Sequence, residues 1–185
     1  MRQSFAIPLL ALVSFAGAAA AQQKPIPEPE FDEVFLALAE DSSALLALEP
    51  QEAIFKTKGG LLSFSSSVTN EFRGGKSPVR FKAGPPLAFV VSVNTQLLGR
   101  VDPNSILALY RLKSEKSKRS LTLVKGSQLS GNVSTTTTEF EVPFEARKVT
   151  DRTFIVSPLQ RLAPGEYAFS MKGDVKFFLF GIDSL

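Results

Sequence analysis

Leu162-Ala163-Pro164-Gly165-Glu166-Tyr167-Ala168-Phe169 is the stretch that decides the fold class. Pro164-Gly165 is a turn pair, and the residues after it alternate as a strand does. A Leu-x-Pro-Gly turn feeding a Tyr at the head of a strand is the corner found in immunoglobulin-like sandwiches. There the ring packs in the core while its hydroxyl caps the backbone of the preceding connection. Pro164, Gly165 and Tyr167 are therefore read as structural residues, against the alternative of a catalytic or ligand-binding Tyr167.

Strand signals extend outward from this corner in both directions. Short β-branched and aromatic runs recur between turn residues, the pattern of a sandwich or barrel. On the C-terminal side, Val175–Ile182 is apolar on both faces, which suits a central strand or one with a face covered by a partner. On the N-terminal side come Ala53–Thr57, Leu61–Val68, Val79–Lys82, the apolar run Leu87–Val93, Ile106–Lys113, Ser120–Lys125 and Thr153–Ser157. Asp102-Pro103-Asn104-Ser105 is a turn. Glu139–Phe144 alternates Glu139, Glu141 and Pro143 against Phe140, Val142 and Phe144, and so reads as a half-exposed strand with an edge-type Pro. Gly131 to Thr138 reads as a hydroxyl-rich loop containing Asn132-Val133-Ser134, formally a glycosylation sequon.

Phe31–Pro50 is ambiguous. Phe31, Val34, Phe35, Leu38, Ser42, Leu45 and Leu46 fit a helical stripe, whereas Glu40-Asp41-Ser42-Ser43 reads as the turn of a hairpin between Glu33–Ala39 and Ala44–Glu49. The β character of the rest favours the hairpin. The expected fold is all-β: an antiparallel, immunoglobulin-like sandwich of eight to ten strands over residues 31–185, opened by this hairpin or a short helix.

Ahead of it, Met1 to Ala21 has the form of a secretory signal peptide: Arg2 in the n-region, an apolar Ile7–Ala16, and small residues at a cleavage site between Ala21 and Gln22. Residues 22–30 (QQKPIPEPE) follow as a Pro-rich leader, in which Pro25, Pro27 and Pro29 favour an extended backbone. The expected compartment is the periplasm or the outside of the cell.

Composition narrows the chemistry. The chain has Cys 0 and His 0, which removes Ser-His-Asp triads, Cys-His dyads, thiol redox centres, Cys/His zinc sites and c-type haem attachment. No Ser-x-x-Lys, Gly-x-Ser-x-Gly, calcium-loop, Gly-x-Gly-x-x-Gly or Walker A pattern occurs, and the aspartates beyond the leader (32, 41, 102, 151, 174 and 183) stand singly. Neither a catalytic residue nor a cofactor or metal is expected. Phe 16 against Tyr 2 and Trp 0 argues for core filling over sugar stacking. A net charge of +3 does not point to nucleic acid, and export argues against that partner, so none is expected.

The densest charge cluster is the hairpin tip Arg111-Leu112-Lys113-Ser114-Glu115-Lys116-Ser117-Lys118-Arg119, with Lys125 nearby. Arg111, Lys113, Lys116, Lys118, Arg119 and Lys125 are the candidate binding residues. They would suit an anionic lipid surface, an acidic polysaccharide or an acidic protein face; the plain alternative is a solvated turn whose lysines block edge aggregation. Glu139, Glu141 and Glu145 are the candidate pair for carboxylate-based hydrolysis, provided a second strand supplies a facing partner.

Ser77-Pro78-Val79-Arg80-Phe81-Lys82-Ala83, Asp102-Pro103 before Ile106-Leu107-Ala108-Leu109-Tyr110, Leu162 to Phe169, and Phe180-Gly181-Ile182-Asp183 together resemble a family of uncharacterised exported bacterial β-domain proteins. In that family the 31–50 region looks like a strand pair, so the resemblance implies a hairpin there, a β fold and export. The expected role is structural or interaction work at the cell envelope, as an accessory subunit or through self-association. Polyanion or membrane-surface binding is the first alternative, and a carboxylate hydrolase the second.

Overall fold

The computed structural model describes residues 26–39, 44–59, 65–94, 102–127, 132–135 and 137–185. The signal peptide expected at 1–21, residues 22–25 of the leader, and the expected turn at 40–43 lie outside the described residues. Fourteen strands are present among those described, more than the eight to ten expected.

A five-stranded antiparallel sheet runs in the order β11 (Phe144–Lys148), β12 (Thr153–Pro158), β7 (Phe89–Ser92), β1 (Phe35–Leu38), β2 (Leu45–Ala47). The ambiguous N-terminal region is thus a hairpin, with Leu36 opposite Ala47 and Leu38 opposite Leu45. Burial explains the choice: Phe35 and Ala37 alternate inward along β1, a period that a helix would not keep. β7 is central and buried along its length, as its two-faced apolar run requires.

The second sheet runs β3 (Glu49–Glu52), β14 (Lys176–Asp183), β13 (Gly165–Met171), β8 (Leu107–Ser114), β9 (Lys118–Ser127), β5 (Ser65–Arg73), β4 (Ile54–Lys58). β6 (Arg80–Lys82) adds in parallel beside β14, and β10 (Asn132–Thr135) adds beside β9. The two ends of this order meet, because only Ala53 separates β3 from β4. Gln51 of β3 seals the join: its Nε2 donates to Arg73 O (3.1 Å), and its Oε1 accepts from Arg73 N (2.9 Å). The sheet therefore curls into a small barrel.

Its middle strands carry two cores, one on each face. Leu107 and Leu109 of β8, Tyr167 and Phe169 of β13, and Phe178, Phe180 and Ile182 of β14 face the five-stranded sheet. There Phe35 stacks on Phe169 at 4.8 Å between centroids, and Phe89 lies 5.0 Å from Phe180. The intervening residues, Ala108, Tyr110, Leu112, Ala168, Phe177 and Leu179, face the barrel interior with Phe72 and Leu121. This is why the run Phe177–Phe180 is apolar at every position: both of its faces are buried.

Three local expectations are corrected. Glu139–Phe144 is not a strand. Thr137–Phe140 forms one helical turn (α2), Glu141 bridges to Tyr110, and strand β11 begins only at Phe144. Pro143 offers no N–H to a ladder, while the helical turn packs Phe140 against the barrel core. The loop expected at 131–138 instead contains β10, whose Thr and Ser content suits an edge strand on β9. The expected turn at Asp102–Ser105 is a single helical turn (α1, Pro103–Ile106), capped by Asp102 accepting from Asn104 N at 3.0 Å. At the corner, Tyr167 donates its hydroxyl to Ala163 O at 2.8 Å.

Candidate functional site

The basic hairpin does not form one charged face. β8 and β9 pair only at Lys113–Ser120 and Ser114–Arg119, then part, one to follow β13 and the other β5. Alternation along β9 sends Lys118 outward and Arg119 inward. Lys118 pairs with Glu71 at 2.5 Å, and Lys113 lies 3.4 Å from Glu115. Arg111 donates to Pro164 O at 3.3 Å, and Lys116 is exposed. Lys125 lies in β9 opposite Ser67 and Ser134. Arg119 is corrected outright: it is completely buried, so it cannot act at a surface. The tip itself is pinned. Gly74 N donates to Ser117 O (3.0 Å), and Ser114 Oγ donates to Gly75 O (2.5 Å).

Arg119 instead closes one end of the barrel. Its guanidinium forks onto Glu49 (Nη1 to Oε2 2.8 Å, Nη2 to Oε1 3.1 Å) and donates to Gly74 O (2.9 Å) and Arg73 O (2.7 Å). Glu166, 3 % exposed, lies 3.7 Å from it, accepts from Ser77 N (2.8 Å), and takes Arg80 Nη1 at 2.7 Å. Arg80 reaches on to Asp183 at 2.7 Å. Burial pushes the Glu49 carboxyl upward, but hydrogen bonds from Arg119, Ser77 and Gln51 outweigh it and hold the group below the usual carboxylate range. Glu49 and Glu166 are both spent on arginines, and no groove lies between them among the described pockets. Sequence reading missed this network because its members lie on five separate segments, and only their burial distinguishes them from surface charges.

Glu139, Glu141 and Glu145 also fail to form a pair, since they sit on α2, on the bridge to Tyr110 and on β11. Glu141 lines a cavity of about 410 Å³ beside Lys172 and Asn104, where Lys172 Nζ donates to Asn104 O at 3.2 Å.

What the fold does build is a cleft between two strand edges. β2 ends one sheet, β6 is the outer strand on β14 in the other, and the gap between them opens into a pocket of about 370 Å³. Leu38, Leu46, Phe81 and Leu87 supply its apolar walls. The segment Pro85–Ala88 also forms the wall of a second pocket, about 340 Å³, lined on its far side by Leu159, Arg161 and Leu162. Leu46 is 47 % exposed and Leu159 61 %. Lys82 and Arg161, both exposed, give the two pockets a basic rim.

The outer edges differ in how they are protected. β4 (IFKTK) and β11 (FEARK) carry charges, the usual defence against edge pairing. β2 (LLA) carries none. Arg80, Phe81 and Lys82 belong to a stretch on which the family resemblance rests, but no residue of this cleft was read as a site residue. The signal available in the sequence was Leu45-Leu46-Ala47, an apolar edge that only the strand order identifies as an edge. Compared with known proteins, the chain matches no family model, no curated protein and no solved structure.

Proposed function

We propose that the chain is an exported, non-catalytic interaction domain of the bacterial cell envelope, an accessory subunit that receives an extended segment of a partner protein along β2. One observation carries this reading: the uncharged edge of β2, unpaired among the described residues, stands directly over an apolar cleft with a basic rim. An added strand would gain main-chain hydrogen bonds from the edge and seat alternate side chains in the pocket, the ordinary mode of strand addition. Export rests on the form of residues 1–21 and on the family resemblance. No helix among the described residues is long and apolar enough to cross a membrane.

The immunoglobulin-like label rests on the Tyr167 corner alone. The parallel β6–β14 pair and the curled second sheet give this sandwich its own strand order. Polyanion binding through the hairpin loses support, because Arg119 is buried and Lys118 and Lys113 have acidic neighbours. The carboxylate hydrolase loses its pair for the reasons given above.

The test is a photo-crosslinking residue at position 46, compared in intact cells with one at Glu145 on the charged β11 edge. Specific protein capture at 46 and not at 145 supports docking at the cleft. Equal capture at both positions, or none at either, would end it.

A further inference from the structure

We propose that the segment docked beside β2 is residues 26–31 of a second copy of this chain, so that copies join head to tail. This rests on the reading of the cleft as a docking site and adds the identity of its occupant.

Three observations single out this segment. The first is the parity of its prolines. In an extended chain, successive residues direct their N–H groups to opposite edges. Pro25, Pro27 and Pro29 all fall on one edge, so Ile26, Glu28 and Glu30 keep a complete row of donors on the other. Such a segment can pair with β2 along one side and presents no donor at Pro27 and Pro29 on the other, which hinders addition of a further strand there.

The second is chemical fit. With Ile26, Glu28 and Glu30 on one face, Pro27, Pro29 and Phe31 share the opposite face, an apolar row for the cleft. Phe31 is 65 % exposed in the single chain. Glu28 and Glu30 then face outward, toward the basic rim of Lys82 and Arg161.

The third is polarity of placement. The segment leaves the body where Asp32 is tied to Ser92 (2.5 Å) and Arg152 (2.6 Å), and where Glu33 N donates to Ser92 O (2.6 Å). That is the Ser92 end of β7. The cleft sits at the other end, beside Ala88 and Leu38. Donor and acceptor at opposite ends of β7 are different surfaces of one molecule, so the contact is heterologous and builds an open row unless the rotation closes it.

The absence of cysteine makes the test clean. One chain carries Phe31→Cys, from the row that faces the cleft, another Leu46→Cys in the cleft wall, and the two are mixed under mild oxidation; both positions are exposed, so the fold tolerates them. The expected result is a mixed disulfide forming about fivefold or more faster than with Glu145→Cys in place of Leu46→Cys. It should slow again when Lys82→Glu and Arg161→Glu are added to the acceptor. Formation at the Glu145→Cys rate would overturn the proposal. So would a chain bearing both cysteines that closes on itself as a monomer, since the segment would then fill its own cleft. The photo-crosslink at position 46 separates the two readings. Capture of a different envelope protein, without this chain, overturns the self-assembly and leaves the docking site standing; capture of neither removes both.

Discussion

Replacing Arg119 by Met keeps most of the side-chain volume and removes every polar contact its guanidinium makes at the end of the barrel. The guanidinium makes the fork to Glu49 and two bonds to the carbonyls of Arg73 and Gly74, in a site from which water is shut out. Breaking a buried ion pair from one side costs about 3–5 kcal/mol, and a stranded carbonyl adds about 1 kcal/mol or more. The expected loss for Arg119→Met is therefore about 4–6 kcal/mol, a large share of the roughly 5–15 kcal/mol that holds a domain folded. Arg119→Lys keeps the charge but loses the fork, and should cost about 2 kcal/mol. Adding Glu49→Met to Arg119→Met removes the stranded carboxylate and should recover part of the loss.

Acid distinguishes charge from packing in this experiment. In the native protein Glu49 is held below its unfolded value, so its contribution is present at neutral pH and is lost as pH falls through the folded value. In Arg119→Met the burial remains without its counter-charge, and the carboxyl rises instead. The variant should then suffer most near neutrality and gain on the native protein as Glu49 takes up a proton. Urea unfolding followed by far-ultraviolet circular dichroism, at neutral pH and near pH 4, reads both effects. A loss under about 1 kcal/mol at neutral pH, or a loss independent of pH, would refute the assignment of Arg119 as the buried counter-charge.

With Tyr 2 and Trp 0, phenolate absorbance reports on Tyr110 and Tyr167 alone. Burial, with the Glu141 carboxylate adding to it, pushes Tyr110 up to about 12. Burial also raises Tyr167, against the opposing pull of Arg111 and the bond to Ala163. Both should titrate above the unfolded value near 10, and the stability they supply should be intact below that pH and fade as pH rises through their folded values; native titration midpoints at the unfolded value would count against the two cores. Gly75→Ala should cost about 2 kcal/mol or more by thermal melt, since its Cβ would overlap Glu115 O and lie 2.7 Å from Lys116 O, both backbone. Gly173→Ala, at φ +90 with open space around it, should cost only the backbone strain of about 1 kcal/mol. Tyr167→Phe should lose about 1 kcal/mol, the net worth of the bond to Ala163 O.

Period and punctuation made most of the strands legible, because a strand buried on both faces leaves a run such as LAFVVSV or VKFFLF whatever it packs against. The Tyr167 corner was legible for a related reason: Pro-Gly fixes the turn locally, and the hydroxyl then finds a carbonyl four residues back. Glu139–Phe144 misled because its alternation imitates a strand, while the position of Pro143 and the gap between β8 and β9 decide in favour of a helical turn. Arg119 misled for a subtler reason. Lys118 and Arg119 are adjacent and alike in charge, yet alternation must send one outward and the other inward. Only the pairing register with β5, which sets Phe72 opposite Arg119, says which.

The cleft was illegible because an edge is a property of strand order, not of a strand. Leu45-Leu46-Ala47 would be unremarkable inside a sheet, where neighbours cover both sides. It becomes an open edge only because β2 is last in its order and the chain crosses at Leu48 to β3 in the opposite sheet, leaving the space beside β6 unfilled among the described residues. A charge at Leu46 would cost the fold little, since the residue is half exposed already, and would follow the pattern of β4 and β11. Its absence at an edge that stands above an apolar pocket is what a surface kept for strand addition requires. If Leu46→Lys leaves the melting temperature unchanged and abolishes association, β2 is an edge kept open for a partner. If it leaves association unchanged, the apolar edge has no docking role and the cleft is only the seam between two sheets.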